Sequence, residues 1–131
     1  MSQLQNFREA LALYRRHGWR PVRALMRDAT LAELRRESPA AEGEPDTAPV
    51  FEGVRAEESV VDALWFTRES AGGREAWELR LVAEPPYALF ELFEPDEAEE
   101  DREDVRREME ARLREYVAPT PETGAEDAAD K

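Results

Sequence analysis

The chain has 131 residues, no cysteine, and 31 acidic against 18 basic side chains, for a net charge of −13. That length suits one domain with a core of its own. The missing cysteines exclude disulfides, a thiol nucleophile and a thiolate metal site. The negative excess opposes binding of nucleic acid by the molecule as a whole.

The charge is unevenly spread. Residues 1–37 carry eight arginines against four acids, and the acids are concentrated beyond them. All basic residues but Lys131 are arginine, as a GC-rich coding bias would give, so arginine abundance alone says little about phosphate recognition. No apolar run approaches the roughly 20 residues of a membrane span, and the first 18 residues lack the apolar stretch of a signal peptide. A cytoplasmic location is the expectation.

In chain order, Ser2 caps a first helix, with Gln5 three residues on as capping-box partner. Leu4, Phe7, Leu11 and Tyr14 recur at i, i+3, i+7 and i+10 on one face. Arg15, Arg16 and His17 suit its negative end, and Gly18 suits its termination. Pro21 opens a second helix, with Val22, Leu25, Met26 and Ala29 as its apolar stripe. That phase fails at Glu33 and Arg36. A kink near Asp28–Thr30 is therefore predicted, followed by a short helix that the Thr30–Glu33 capping box starts and that ends by Glu37. Residues 38–49, rich in proline and acids, read as a linker. Val50, Phe51 and Val54 form a short edge strand interrupted at Gly53.

Three apolar runs follow: residues 58–68, 77–84 and 87–94. Turn residues separate them, Gly72-Gly73 first and Pro85-Pro86 second, so an antiparallel meander is predicted. Two-residue turns at those sites set Phe66 opposite Leu79, Leu64 opposite Leu81, Leu81 opposite Phe90 and Leu79 opposite Leu92. Leu64, Phe66, Trp77, Leu79, Leu81, Phe90 and Leu92 then share one apolar face. The reverse face holds Glu78, Arg80 and Glu91 beside Val61, Trp65, Val82, Leu89 and Phe93, with Trp65 over Arg80. That face is too apolar to stand in water. Either the N-terminal helices cover it or a partner does.

Pro95 stops the last strand, and the acids of residues 96–101 open a long helix. Ala98, Val105, Met109, Leu113, Tyr116 and Val117 make its stripe, placed on the apolar face of the meander. Glu103–Arg107, Glu108–Arg112 and Glu110–Arg114 are i,i+4 pairs. Residues 119–131 read as a disordered acidic tail. The expected fold is α+β: N-terminal helices, a three- to four-stranded antiparallel meander, and a C-terminal amphipathic helix on the sheet, in one domain over residues 1–118. In size, acidity and layout the chain resembles small bacterial adaptor and secretion-chaperone proteins.

No catalytic constellation is visible. His17, the sole histidine, sits at a helix end, and no serine has a G-x-S-x-G context. Glu78 and Glu91 could mimic an acid–base pair, but Arg80 between them makes an ion-pair lattice the better reading. Residues 96–104 lack the spacing and glycine of a calcium loop. No metal and no cofactor are expected. The leading expectation is a non-enzymatic protein-interaction module, homodimeric, binding through Trp65, Val82, Leu89 and Phe93. One alternative is an acidic inhibitor or immunity-type protein acting on a basic partner. Another is a regulator in which Arg16, Arg20, Arg23 and Arg27 line a helix-turn-helix and contact nucleic acid.

Overall fold

The computed structural model describes residues 2–37 and 49–118. The elements are α1 (Gln3–Arg16), β1 (Arg20–Met26), α2 (Asp28–Glu37), β2 (Val50–Phe51), β3 (Val54–Glu58), β4 (Ala63–Glu69), β5 (Glu75–Leu81), β6 (Tyr87–Phe93) and α3 (Glu99–Val117). The fold is α+β, with one six-stranded sheet in the order β2-β3-β1-β4-β5-β6. The sheet is mixed, because β1 pairs with β3 in parallel while the other neighbours are antiparallel. The expected linker lies outside the described residues up to position 48, as does the expected tail.

The first helix forms as its sequence dictates. The Ser2 hydroxyl accepts from the Gln5 amide, and Leu4, Phe7, Leu11 and Tyr14 are all buried. Gly18, at φ +88°, supplies the left-handed residue past its end.

The second helix is not there. Residues 20–26 are instead a central strand. Ala24 and Met26 enter the core on one side of the sheet and Leu25 the core on the other. Three consecutive apolar residues covered on both faces are the mark of an interior strand. Pro21 is compatible with this because pairing with β3 begins only at Ala24, and a bulge lies between Pro21 and Arg23 on the β4 side. A parallel neighbour requires a crossover, and α2 provides it. That helix begins at Asp28, so Thr30 lies inside it and makes no capping box.

The edge at residues 50–58 is a tight hairpin. Glu52 (φ +50°) and Gly53 (φ +80°) both take the left-handed conformation that a two-residue turn of this hand requires.

The meander has the expected three strands but a different register. Its first connection turns through Ala71-Gly72-Gly73, with the Ser70 amide donating to the Arg74 carbonyl at 2.8 Å. The strands pair Glu69 with Glu75, Phe66 with Glu78 and Leu64 with Arg80, one residue away from a Gly72-Gly73 turn. The second connection spans residues 82–86, and Leu81 pairs with Tyr87. A shift by an odd number exchanges the faces. The expected apolar set is therefore split. Leu64, Phe66, Phe90 and Leu92 face α1 and α2, whereas Trp77, Leu79 and Leu81 face α3.

Two cores result, one on each side of the sheet. Leu4, Phe7, Leu11, Leu31 and Leu34 pack with Phe51, Ala56, Leu64 and Phe66 on one side. Met109 and Leu113 of α3 pack on Trp65, Leu79 and Leu81 on the other. Of the expected i,i+4 pairs along α3, Glu108–Arg112 forms at 2.9 Å and Glu110–Arg114, more loosely, at 4.0 Å. Glu103 bonds Arg106 rather than Arg107, and that guanidinium holds its carboxyl below the usual range. Tyr116 and Val117 of the expected stripe stay largely exposed.

Candidate protein-interaction surface

The strand β6 reads Tyr-Ala-Leu-Phe-Glu-Leu-Phe and ends the sheet. Its outer edge faces no other strand among the described residues. The opposite edge, β2, is two residues long. Free strand edges invite pairing with another chain, and proteins usually blunt them with lysine, proline or bulges. Here Pro85, Pro86 and Pro95 flank the strand, and Glu91 is its one charge.

Alternate residues of β6 meet different fates. On the α3 side, Tyr87 stacks on Tyr116 with ring centres 3.9 Å apart. Leu89 packs against the core there, and Phe93 is buried beneath the Arg102 and Arg106 guanidiniums. On the other side the helical layer stops short. Tyr14 of α1 stacks on Phe66 at 4.1 Å and donates its hydroxyl to the Glu78 carboxylate. Burial, reinforced by that carboxylate, pushes the Tyr14 phenol up to about 12. Arg80 lies over the Tyr14 ring, and Arg68 over Trp19. Trp19 meets Phe90 edge-on at 6.4 Å, and coverage ends there. Phe90 is 56% exposed and Leu92 38%, with Ala88 beside them also exposed. The result is a small apolar stripe on an open edge.

Neither set of residues expected to bind forms a surface. Trp65 is fully buried under α3, its indole N–H donating to the Glu110 carboxylate at 2.8 Å, and it meets Trp77 edge-on rather than Arg80. Phe93 is buried too, Leu89 is half-buried, and Val82 is buried with the core of the α1 side. The four lie on two faces, and the chain's own helices cover them. The apolar reverse face on which the dimer expectation rested is thus the seat of α3.

The four arginines make no helical stripe, because a strand stands where the second helix of a helix-turn-helix would be. Arg16 ends α1, and Arg20 and Arg23 belong to β1. Arg23 lies 3.5 Å from Glu57, and Arg27 binds Asp62 at 3.0 Å. His17 follows α1, exposed, its carbonyl accepting from Arg68. Glu78 and Glu91 point to opposite faces, so they are not an acid–base pair. Among the described residues, no three His, Asp or Glu side chains converge as metal ligands.

One polar cluster is deeply placed. The Asp62 side chain is 3% exposed and accepts from the Gln3 side chain, the Arg27 amide and guanidinium, and the Thr30 hydroxyl. It borders an open groove of about 640 Å³ with Asn6, Arg80 and Glu84. Four donors occupy both its oxygens. Its work is to join α1, the start of α2 and the loop before β4.

The Phe90–Leu92 stripe was hidden from sequence reasoning because the reach of the helical layer across the sheet, which ends at Trp19, is set by long-range packing. The composition of residues 87–93, apolar with a single charge and last in the meander, is the signal that could have found it. No helix among the described residues is long and apolar enough to cross a membrane. No protein-family model, curated protein or solved structure matches the chain at a significant level.

Proposed function

We propose that the chain is a non-enzymatic protein-interaction module whose binding element is the free edge of β6. One observation carries this: a seven-residue edge strand that exposes Phe90 and Leu92 where neither helical layer reaches. Strand addition to such an edge takes its affinity from main-chain hydrogen bonds and its selectivity from alternate side chains. The buried Asp62, engaged with four donors, supports reading that carboxylate as structural.

The test is a photo-activated cross-linking amino acid placed at position 90 in the source cells, with position 60 as control, since Val60 is also exposed. Position 90 is expected to give a discrete protein adduct that position 60 lacks. Identical patterns from both positions would refute the assignment.

Self-association through the same edge is a second reading, favoured by the strand's own pattern. A two-fold axis at Phe90 would set Ala88 against Leu92 and Phe90 against its copy, an isologous contact.

A further inference from the structure

The charges beside the open edge select among its occupants. Helix α3 packs across β5 and β6 and presents three sides to its surroundings. Met109 and Leu113 point into the sheet. Glu110 turns toward β4, where it receives the Trp65 indole, and Tyr116 turns down onto β6 at Tyr87. With 100° between successive residues, Asp101, Glu108, Arg112 and Glu115 occupy the flank opposite Glu110. Because Glu110 lies toward β4, that flank is turned to the β6 side of the sheet, and all four residues are exposed. Arg112 is already bonded to Glu108 at 2.9 Å, and Asp101 and Glu115 have no ion-pair partner among the described residues. Glu84, exposed beside the start of β6, adds to the same side of the balance, as does the charge of −13 on the whole chain.

We infer that the edge receives an extended segment of a basic protein, in which apolar residues alternate with lysine or arginine. The inference rests on the interaction reading above and adds the chemistry of the partner. A strand paired to β6 points its side chains alternately to the two faces. On one face they meet Phe90 and Leu92, which favour apolar neighbours. On the other they meet the acidic flank of α3, which favours cations. A second copy of this chain meets the first requirement but fails the second. Its own Asp101, Glu108 and Glu115 would approach ours, and like-charge juxtaposition costs binding energy.

The experiment uses the full chain and three fluorescein-labelled peptides, each as long as the seven residues of β6. One alternates lysine with valine, one alternates glutamate with valine, and one keeps the lysines but carries proline for valine. Fluorescence anisotropy at low salt is expected to show the lysine–valine peptide binding roughly tenfold or more tightly than either control. Its binding should protect the β6 amides from hydrogen exchange. The double substitution Phe90→Ser and Leu92→Ser, which leaves the charge unchanged and takes from the core only the edge contact with Trp19, should weaken it by roughly fivefold or more. Equal binding of the proline peptide would reduce the effect to unspecific charge and overturn the inference. So would equal binding of the glutamate peptide, or no binding at all. A wild-type chain that sediments as a dimer with its β6 amides already protected would assign the edge to a second copy instead. If the peptides fail while position 90 still cross-links a protein, the interaction reading stands and only the basic-strand partner is lost.

Discussion

Tyr14 links a buried contact to a measurable pH dependence. Its phenol is held near 12 by burial and by Glu78, against about 10 in an unfolded chain. Above pH 10 the unfolded chain gives up a proton that the folded protein retains. Stability is therefore complete below about pH 10 and declines as the pH rises toward 12. Urea unfolding at about pH 9 and about pH 11.5 should show this decline, and Tyr14→Phe should flatten it. An unchanged slope in that variant would place the effect elsewhere. Glu78→Gln should lower the phenol's titration midpoint, read by its ultraviolet absorbance. At this scale the sequence was legible where partners are local. The Ser2 cap and the Gly18 terminus follow from neighbours a few positions away. Asp62 was not legible, because its partners stand 59, 35 and 32 residues off in the chain. A carboxylate between two strand-like runs carries no local mark of such a role.

Elements were readable to the extent that one face repeats. Helix α1 declared itself by spacing, and α3 by its acidic start and its Met109–Leu113 stripe. Strand β1 did not, because Val22, Leu25, Met26 and Ala29 satisfy a helical period, while Leu25 and Met26 serve equally, with Ala24, to fill a short buried strand. Only its pairing with β3 and β4, remote in sequence, settles the choice. The β2–β3 hairpin was read as one edge strand interrupted at Gly53, the residue at which the chain in fact turns back. A Cβ there meets no atom within 4 Å, so substitution strains the backbone alone. Gly53→Ala should therefore cost roughly 1 kcal/mol, the penalty of a left-handed alanine, measured by urea unfolding. A cost near zero would mean that the turn relaxes to another type. The register of the meander was the largest error, and it came from connections rather than strands. Each lies an odd number of residues from the assumed turn, so the two shifts cancel between β4 and β6: Phe90 and Leu92 keep the face of Leu64 and Phe66, while Trp77, Leu79 and Leu81 change sides.

For the whole molecule, the class was foreseeable and the topology was not. Helices at both ends and an antiparallel meander between them follow from composition and turn residues. The seating of α1 and α3 on opposite faces was one of the two readings the meander left open. The parallel β1–β3 pair and the mixed six-stranded order do not follow. They depend on one strand disguised as a helix. The candidate interface shares that fate, since it exists only because the helical layers end where they do. What the sequence conveyed correctly was the ingredient, a greasy final strand in an acidic chain.

The two cores never meet, because the backbone of the sheet stands between them. Damage on one side is then invisible to the other. Leu11→Val and Leu113→Val each remove one methylene, at about 1 kcal/mol apiece, from opposite sides. Combined, their costs should sum to within about 0.5 kcal/mol in denaturant titrations. Compensating changes should likewise arise only on the side that was injured. A lineage of such chains would drift as two half-independent proteins bound to a common wall.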